Sequence, residues 1–468
     1  MKTTVIIVRH GQSTSNAQRI IQGHHDSAVL TALGEQQACK VGKMLSGLKL
    51  DAIYASPLKR AAKTCELIVE TMSAHAGAEE LPPIQTTDLI KEISLPLWES
   101  KSFADVEAQY PNEYKAWRQD ANGFKMAVPN ADGTMSDFYP VRDIWQRARQ
   151  FLQPLIEQHS GKTVLIVAHS AINRALIGAA IGLGPASLNS MGQENCAINV
   201  LNFLEGWEAG AQLESLNLTS HLGEALPKRK AKFKGPRLLL VRHGETNWNR
   251  DGRFQGQIDI PLNENGHRQA AQAGEFLKVV KIDAAVTSSM LRPKETAEAI
   301  LQHHPQVTLK TTEDLWEISH GEWEGKLESE IEAGYPGLLA QWQSQPETVQ
   351  MPGGENLEDV WRRARKGWSS IVAAYSELSE STESGESGAA PTVMVVAHDA
   401  INKAILCQVM GLGPNNFWRF KQGNGAVSVI DYPGGPEGEP ESVPVLSAAN
   451  ITTHLSGSIF DKTAAGAL

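Results

Sequence analysis

The sequence predicts an α/β protein built as two tandem, doubly wound domains, each around a mostly parallel sheet. Two observations carry that expectation. The segment VIIVRHGQSTSN (5–16) returns as LLLVRHGETNWN (238–249), and in both halves short apolar, β-branched runs alternate with segments of helical periodicity. Strands alternating with helices imply parallel pairing with helices on both faces of the sheet. A repeat that spans whole halves implies duplication of a complete domain, whereas solenoids repeat every 20–50 residues or so.

The halves stay in step beyond the first motif. IQG (21–23) matches FQG (254–256), SPLKRAAKT (56–64) matches SSMLRPKET (288–296), and TTDLIKEIS (86–94) matches TTEDLWEIS (311–319). Later, VLIVAHSAINRALI (164–177) matches VMVVAHDAINKAIL (393–406), and GLGP follows both times. The expected organisation is a first domain over residues 1–222, a basic linker over 223–236, and a second domain over 237–468. The linker segment ALPKRKAKFKGP is turn-rich and lacks apolar periodicity, so it reads as solvated chain. SELSESTESGESGAAP (376–391) has no counterpart of that length in the first half and reads as a mobile surface loop, and YPGGPEGEPE (432–441) as a hairpin tip.

Predicted strands precede each motif: VIIV before Arg9, DAIYA before Ser56 and VLIVA before His169, then LLLV, DAAVT and VMVVA in the second half. GEQQACKVGKMLSGL and GHRQAAQAGEFLKVV carry apolar positions three and four apart and predict helices between them. In open α/β sheets ligands bind outside the carboxyl ends of strands. Three strands of each half end in a chemically capable residue, and their ends should meet in one crevice.

Bulk properties restrict the function classes. A chain of 468 residues is long for one core, and 41% hydrophobic with 21% charged residues is ordinary globular composition. The net charge of -10 argues against general affinity for nucleic acid or anionic membranes, so phosphate binding must come from local cationic pockets. The apolar run at the start is too short for a secretory signal and no later stretch reaches membrane-spanning length, so a cytoplasmic protein is expected. Cys39, Cys65, Cys196 and Cys407 are scattered without a CxxC pair and read as reduced structural thiols. His24–His25 and His303–His304 are adjacent pairs, not the i, i+4 spacing that shares a ligand face; they read as surface loop residues, and no metal is expected.

Arg-His-Gly alone is a weak signal. Its place at a strand end in both copies, with Arg60 or Arg292 and His169 or His398 delivered by the same sheet, makes a cluster of two Arg and two His that occurs twice. Such a cluster suits phosphoryl transfer to histidine. His10 and His243 attack phosphorus only as neutral imidazoles, and the neighbouring guanidiniums of Arg9 and Arg60, or Arg242 and Arg292, disfavour the imidazolium by like-charge repulsion. The same guanidiniums grip phosphate oxygens and stabilise transition-state charge. His169 and His398 would complete the cradle. Glu92 and Glu317 are the matched candidate general acids; the competing reading is an ordinary solvated carboxylate.

At these residues the chain resembles the histidine phosphatase superfamily, whose fold is phosphoglycerate mutase-like. The resemblance rests on RHGQSTSN and RHGETNWN, the Arg60 and Arg292 blocks, Glu92 and Glu317, and AHS and AHD. It implies a phosphohistidine intermediate, no metal or other cofactor, small phosphorylated metabolites as the partners, and supporting phosphate contacts from Asn16 and Asn249. Phosphatase is expected over phosphoglycerate mutase, because neither EISLPLWES nor EISHGEWEG holds the Arg-His-Tyr segment of the mutases. Phosphoserine phosphatase activity, and a phosphate-binding scaffold with one inert domain, are the alternatives.

The copies depart from each other. The second has HGEWEG (320–325) and PGGEN (352–356), similar to the family's phosphatases. The first has LPLWES (95–100), and aligning Trp145 with Trp361 puts Tyr139 opposite Glu355. DFYPVRDIWQRARQF (137–151) resembles family members that act on phosphorylated sugar acids such as 2-carboxy-D-arabinitol 1-phosphate. Loss of a carboxylate at Tyr139 is expected to ease entry of a doubly anionic substrate, and Arg142 either pairs with the second anion or stays solvated on a helix surface.

Overall fold

The computed structural model describes the chain except residues 76–79, 131, 232, 381–389, 435–442 and 465–468, and the side chains of 377–380. The chain forms two compact units, Met1–Glu224 and Ala225–Leu468.

The first unit contains β1 (Thr3–Arg9), β2 (Ala52–Ala55), β3 (Ile84–Thr86), β4 (Met126–Pro129), β5 (Met135–Phe138), β6 (Thr163–Ala168), β7 (Ile198–Phe203) and β8 (Gln212–Leu218). Its sheet runs β8-β7-β1-β6-β2-β3, while β4 and β5 form a separate antiparallel hairpin. β1, β6, β2 and β3 are parallel, with Arg9 opposite Ala168, and β7 joins β1 antiparallel. Val5 to Val8 are all fully buried although successive strand residues face opposite sides, so both faces are covered. The helices Ala32–Leu45 and Lys59–Ser73 pack together, as do Pro140–Gln158 and Ser170–Ala180. The last pair meets closely at Gly178, where a Cβ would stand 2.5 Å from the Trp145 ring.

The second unit repeats the plan with β9 (Arg237–Arg242), β10 (Ala284–Ser288), β11 (Leu309–Thr312), β12 (Thr392–Ala397), β13 (Val427–Asp431) and β14 (Val445–Ile451). The order is β11-β10-β12-β9-β13-β14, with the first four parallel, β13 antiparallel to β9, and Ala397 opposite Arg242. Helices Glu264–Leu277, Leu291–Leu301, Leu357–Glu380 and Asp399–Val409 take the places of the first unit's four. Each fully buried aliphatic side chain in these sheets contributes about 1.5–3 kcal/mol relative to exposure.

Three local expectations change. The basic segment before β9 is not free chain: Leu226, Pro227 and Phe233 are buried, Arg237 donates to the Pro227 carbonyl at 2.9 Å, and the Lys234 amide bonds to the Pro433 carbonyl at 2.7 Å. Lys228, Lys230 and Lys234 are exposed, whereas Arg229 is half-buried and donates to the carbonyls of Ala390 and Gly235. The segment expected as a loop from residue 376 begins as the end of helix Leu357–Glu380, because Ser and Glu cost a helix little; residues 381–389, and residues 435–441 of the expected hairpin tip 432–441, lie outside the described residues. His304 is buried and His24 half-buried, contrary to their reading as surface residues. No helix among the described residues is long and apolar enough to cross a membrane.

Candidate active site

Parallel strands that end level bring their next residues together. In the first unit Arg9 closes β1, His10 follows it, Ser56 follows β2 and His169 follows β6. The His10 amide bonds to the Ala168 carbonyl at 2.9 Å, which locks the two strand ends in register. The rings of His10 and His169 then lie edge to face with centroids 5.1 Å apart; those of His243 and His398 repeat this at 5.2 Å. All four imidazoles are buried.

The tautomer of the first histidine follows from its partner. His10 Nδ1 lies 2.7 Å from the Gly11 carbonyl oxygen, and His243 Nδ1 lies 2.7 Å from that of Gly244. A carbonyl only accepts, so Nδ1 carries the proton and Nε2 of the neutral ring keeps its lone pair. In the second unit that lone pair accepts from Arg292 Nε at 3.3 Å. Burial lowers the pKa of His10 well below the ordinary range, and Arg9 and Arg60 push it the same way; burial, Arg292 and Arg242 do so for His243. Both rings are neutral at pH 7.

Arg60 and Arg292 are fully buried on the first turn of their helices and are held by loop carbonyls: Arg60 by Gly23 (2.9 Å), Arg292 by Gly256 (2.8 Å). Arg9 donates to Gln193 O at 2.7 Å, and Arg242 donates to Gln422 O. His169 Nε2 sits 2.7 Å from Ser56 Oγ and His398 Nε2 2.9 Å from Ser288 Oγ. Several donors at each site are buried without a partner: Arg9 Nε, Arg60 Nε and His169 Nδ1 in the first unit, Arg242 Nε and His398 Nδ1 in the second. Buried polar atoms are ordinarily paired, and a cluster of orphaned cationic and imidazole nitrogens is an oxyanion site by chemistry.

Glu92 and Glu317 are not solvated carboxylates. Glu92 Oε1 accepts from the amides of Ile93, Ala171 and Ile172 at 2.9–3.3 Å, and so sits at the N-terminus of helix Ser170–Ala180. Glu317 does the same for helix Asp399–Val409, accepting from Ile318, Asp399, Ala400 and Ile401. Burial raises the pKa of Glu317, helped by the nearby Asp399. Asn16 and Asn249 reach the centre indirectly. Each accepts through Oδ1 from the N-cap amide of its own short helix, Ser13 or Thr246, and from an asparagine, Asn195 or Asn424, that also donates to the carbonyl of His10 or His243.

Sequence reasoning missed the residues that fix the two glutamates. Arg147 donates to the carbonyls of Lys91 and Glu92, and Arg363 to those of Trp316 and Glu317. His24 Nε2 lies 2.8 Å from Glu92 O, and Gln257 Nε2 donates to Glu317 O at 3.1 Å. The clue was present, since His24 and Gln257 directly follow the matched IQG and FQG. The Tyr139 expectation changes in its physics. Glu355 does not stand free in the second crevice: it pairs with Arg363 at 2.8 Å and accepts from the Ser319 amide. In the first unit Arg147 pairs instead with Asp143, and Tyr139 lies under the exposed Arg142 guanidinium at 4.3 Å. Arg142 lines a groove of about 470 Å³ with Trp145, Gln146, Arg149 and Pro185; none of the histidines does.

A mostly parallel sheet with two histidines, two arginines and a helix-capped glutamate at its strand ends defines a phosphoryl-transfer enzyme. The family model for the histidine phosphatase superfamily (branch 1) matches residues 5–219 and 238–438. The chain therefore belongs to the histidine phosphatase superfamily, and it is a phosphatase of that family. It is 30% identical over 459 residues to the 2-carboxy-D-arabinitol-1-phosphatase of Triticum aestivum, covering 96% of this chain and 86% of that enzyme. A probable 2-carboxy-D-arabinitol-1-phosphatase of Arabidopsis thaliana matches at 30% over 96% of this chain and 88% of its own. Phosphoserine phosphatase 1 of Hydrogenobacter thermophilus is 32% identical over 47% of this chain and 94% of its own length.

Proposed function

We infer that each unit hydrolyses phosphomonoesters of small metabolites through a phosphohistidine, at His10 in the first and His243 in the second. The observation that carries this is the fixed tautomer: Nδ1 donates to the next residue's carbonyl, and Nε2 faces a buried cationic cluster as a free base. The Nε2 lone pair attacks phosphorus and the P–O bond to the leaving alkoxide breaks. Glu92 or Glu317 gives that alkoxide a proton. Water then attacks the phosphohistidine, returning a proton to the carboxylate, and the N–P bond breaks to release phosphate and neutral imidazole. Arg9 and Arg60 with His169, and Arg242 and Arg292 with His398, hold the phosphoryl oxygens throughout.

The substrate class we assign is phosphorylated sugars and sugar acids, with 2-carboxy-D-arabinitol 1-phosphate as the leading example. Its support is that relatives of that name match over 96% of this chain. A cytoplasmic setting is part of the same proposal, since the four cysteines are all free thiols. We place one catalytic set in each of the units Met1–Glu224 and Ala225–Leu468.

The test is phosphate release from sugar phosphates, sugar-acid phosphates, phosphoserine and phosphoglycerates by wild type, His10→Ala, His243→Ala and the double variant. The double variant should lose at least about a thousandfold in kcat with its melting transitions retained, and chelators should leave the wild type unaffected. Substantial turnover by the folded double variant would overturn the phosphohistidine route.

A further inference from the structure

The two units differ most sharply one helical turn beyond the second histidine. In the second unit Asp399 and Lys403 lie at i, i+4 on one helix and form a buried ion pair at 2.8 Å, and Asp399 also faces Arg242 at 3.7 Å. The Lys403 ammonium is further enclosed by the rings of Trp418 and Phe417, at 4.6 and 5.1 Å. That cation has its counter-charge inside the protein.

Counting from the shared AHxAIN and GLGP motifs, the first unit puts Ser170 at the Asp399 position, Arg174 at Lys403, and Leu188 and Asn189 at Phe417 and Trp418. The carboxylate and the aromatic shelf are gone together, while the cation remains. Among the described residues Arg174 makes no hydrogen bond or ion pair, and its Nε is buried without a partner. Arg174 is close enough to Arg9 and Glu92 to feel both, and to Glu194, which replaces Gly423; burial, then repulsion from Arg9, lowers its pKa to about 10, so it stays charged at pH 7. Glu92 and Glu194 attract this guanidinium from a distance, but neither bonds to it, so its N–H donors beside the phosphate site remain open to an anion.

We propose that Arg174 is the specificity residue of the first unit: it binds a second anionic group, a carboxylate carried by the phosphorylated substrate, in the space that Phe417 and Trp418 fill in the second unit. This rests on the phosphatase reading and narrows its substrate to sugar-acid phosphates for that unit. A planar guanidinium grips a carboxylate through two parallel N–H···O bonds, which an ammonium does not. Glu194 is an acceptor on the same rim and suits the hydroxyls of a polyol chain. Arg142, stacked on Tyr139 and exposed, has no part in this.

The test uses a matched pair, 6-phosphogluconate and glucitol 6-phosphate, which differ by a carboxylate against a hydroxymethyl. The full chain carries His243→Ala so that only the first site turns over. Hydrolysis should favour the acid at least tenfold in kcat/KM. Arg174→Met should bring the ratio to about one with the alcohol's rate little changed. Ser170→Asp, which restores the internal partner and leaves the arginine in place, should do the same, and Arg174→Lys should keep part of the preference. A ratio unchanged in both Arg174→Met and Ser170→Asp overturns the proposal, as does a wild-type ratio near one. Calorimetric binding of the same two compounds separates the two readings. Tighter binding of the acid that is lost in both variants, without any hydrolysis, would uphold the subsite and overturn the phosphatase assignment for the first unit.

Discussion

Glu317 Oε2 accepts a hydrogen bond from the backbone N–H of Asp399 at 3.0 Å, so two carboxylates share the start of one helix. Burial and the Asp399 charge raise the pKa of Glu317, while the amides of Ile318 and Ala400 and the charge of Arg292 work against that rise. The net result is an acid that keeps its proton to higher pH than an ordinary carboxyl, which is what a leaving alkoxide requires.

Glu317→Gln, read in a His10→Ala background, should therefore lower kcat on alkyl phosphates by about 10²–10⁴-fold. The loss should be far smaller on p-nitrophenyl phosphate, whose leaving group departs without a proton. In that His10→Ala background activity on alkyl phosphates should fall as pH rises through the raised pKa of Glu317, and p-nitrophenyl phosphate should not show that limb. Equal losses on both substrates would remove Glu317 as the acid.

Much of this centre was legible before any coordinates. Arg9, His10 and His169 could be placed together because strand periodicity puts them at strand ends, Arg60 because it opens the helix after the next strand, and all four because the second half repeats them. Glu92 was legible only by its match to Glu317; that it caps a helix depends on a loop whose path has no periodicity. His24 and Gln257 were missed for the same reason, since they act on backbone carbonyls and any polar side chain of suitable reach would serve. Arg174 carries no sequence signal of its own beyond its place in the matched AHSAINR and AHDAINK segments. Its meaning came from the absence of a partner, which is a property of space and not of the helix itself. The segment before β9 misled because its lysines dominate the composition, while Leu226 and Phe233, two isolated apolar residues, decide where it packs.

The two sites should rank substrates differently. His10→Ala leaves a site whose Lys403 is neutralised by Asp399 and whose Glu355 is tied to Arg363; His243→Ala leaves one whose Arg174 forms no ion pair. Over one panel, the His243→Ala protein should favour sugar-acid phosphates and the His10→Ala protein substrates with one anionic group, with orders differing at least tenfold for matched pairs. Matching orders would mean that the pocket differences lie outside the substrate's reach.

His320 supplies a pH test of stability. It is fully buried against Phe254 and Trp342, neither ring nitrogen has a hydrogen-bond partner, and burial lowers its pKa to about 3. The unfolded chain takes up a proton at this residue below about pH 6.5, whereas the folded protein refuses it until about pH 3. Between those limits the unfolded state binds more protons, so stability is full above the unfolded pKa and is lost as pH falls, by about 1.4 kcal/mol per pH unit for one such group. The corresponding residue of the first unit is Leu95. His320→Leu should therefore flatten the acid slope of the second unit's unfolding by about that amount per pH unit between pH 6 and 4, while His243 and His398, shifted the same way, keep some slope in place. Calorimetric unfolding at pH 7, 6, 5 and 4, with the two units' transitions resolved, measures it. A slope identical to wild type would mean that His320 takes up its proton without unfolding, and that the cage around it opens to water at acid pH.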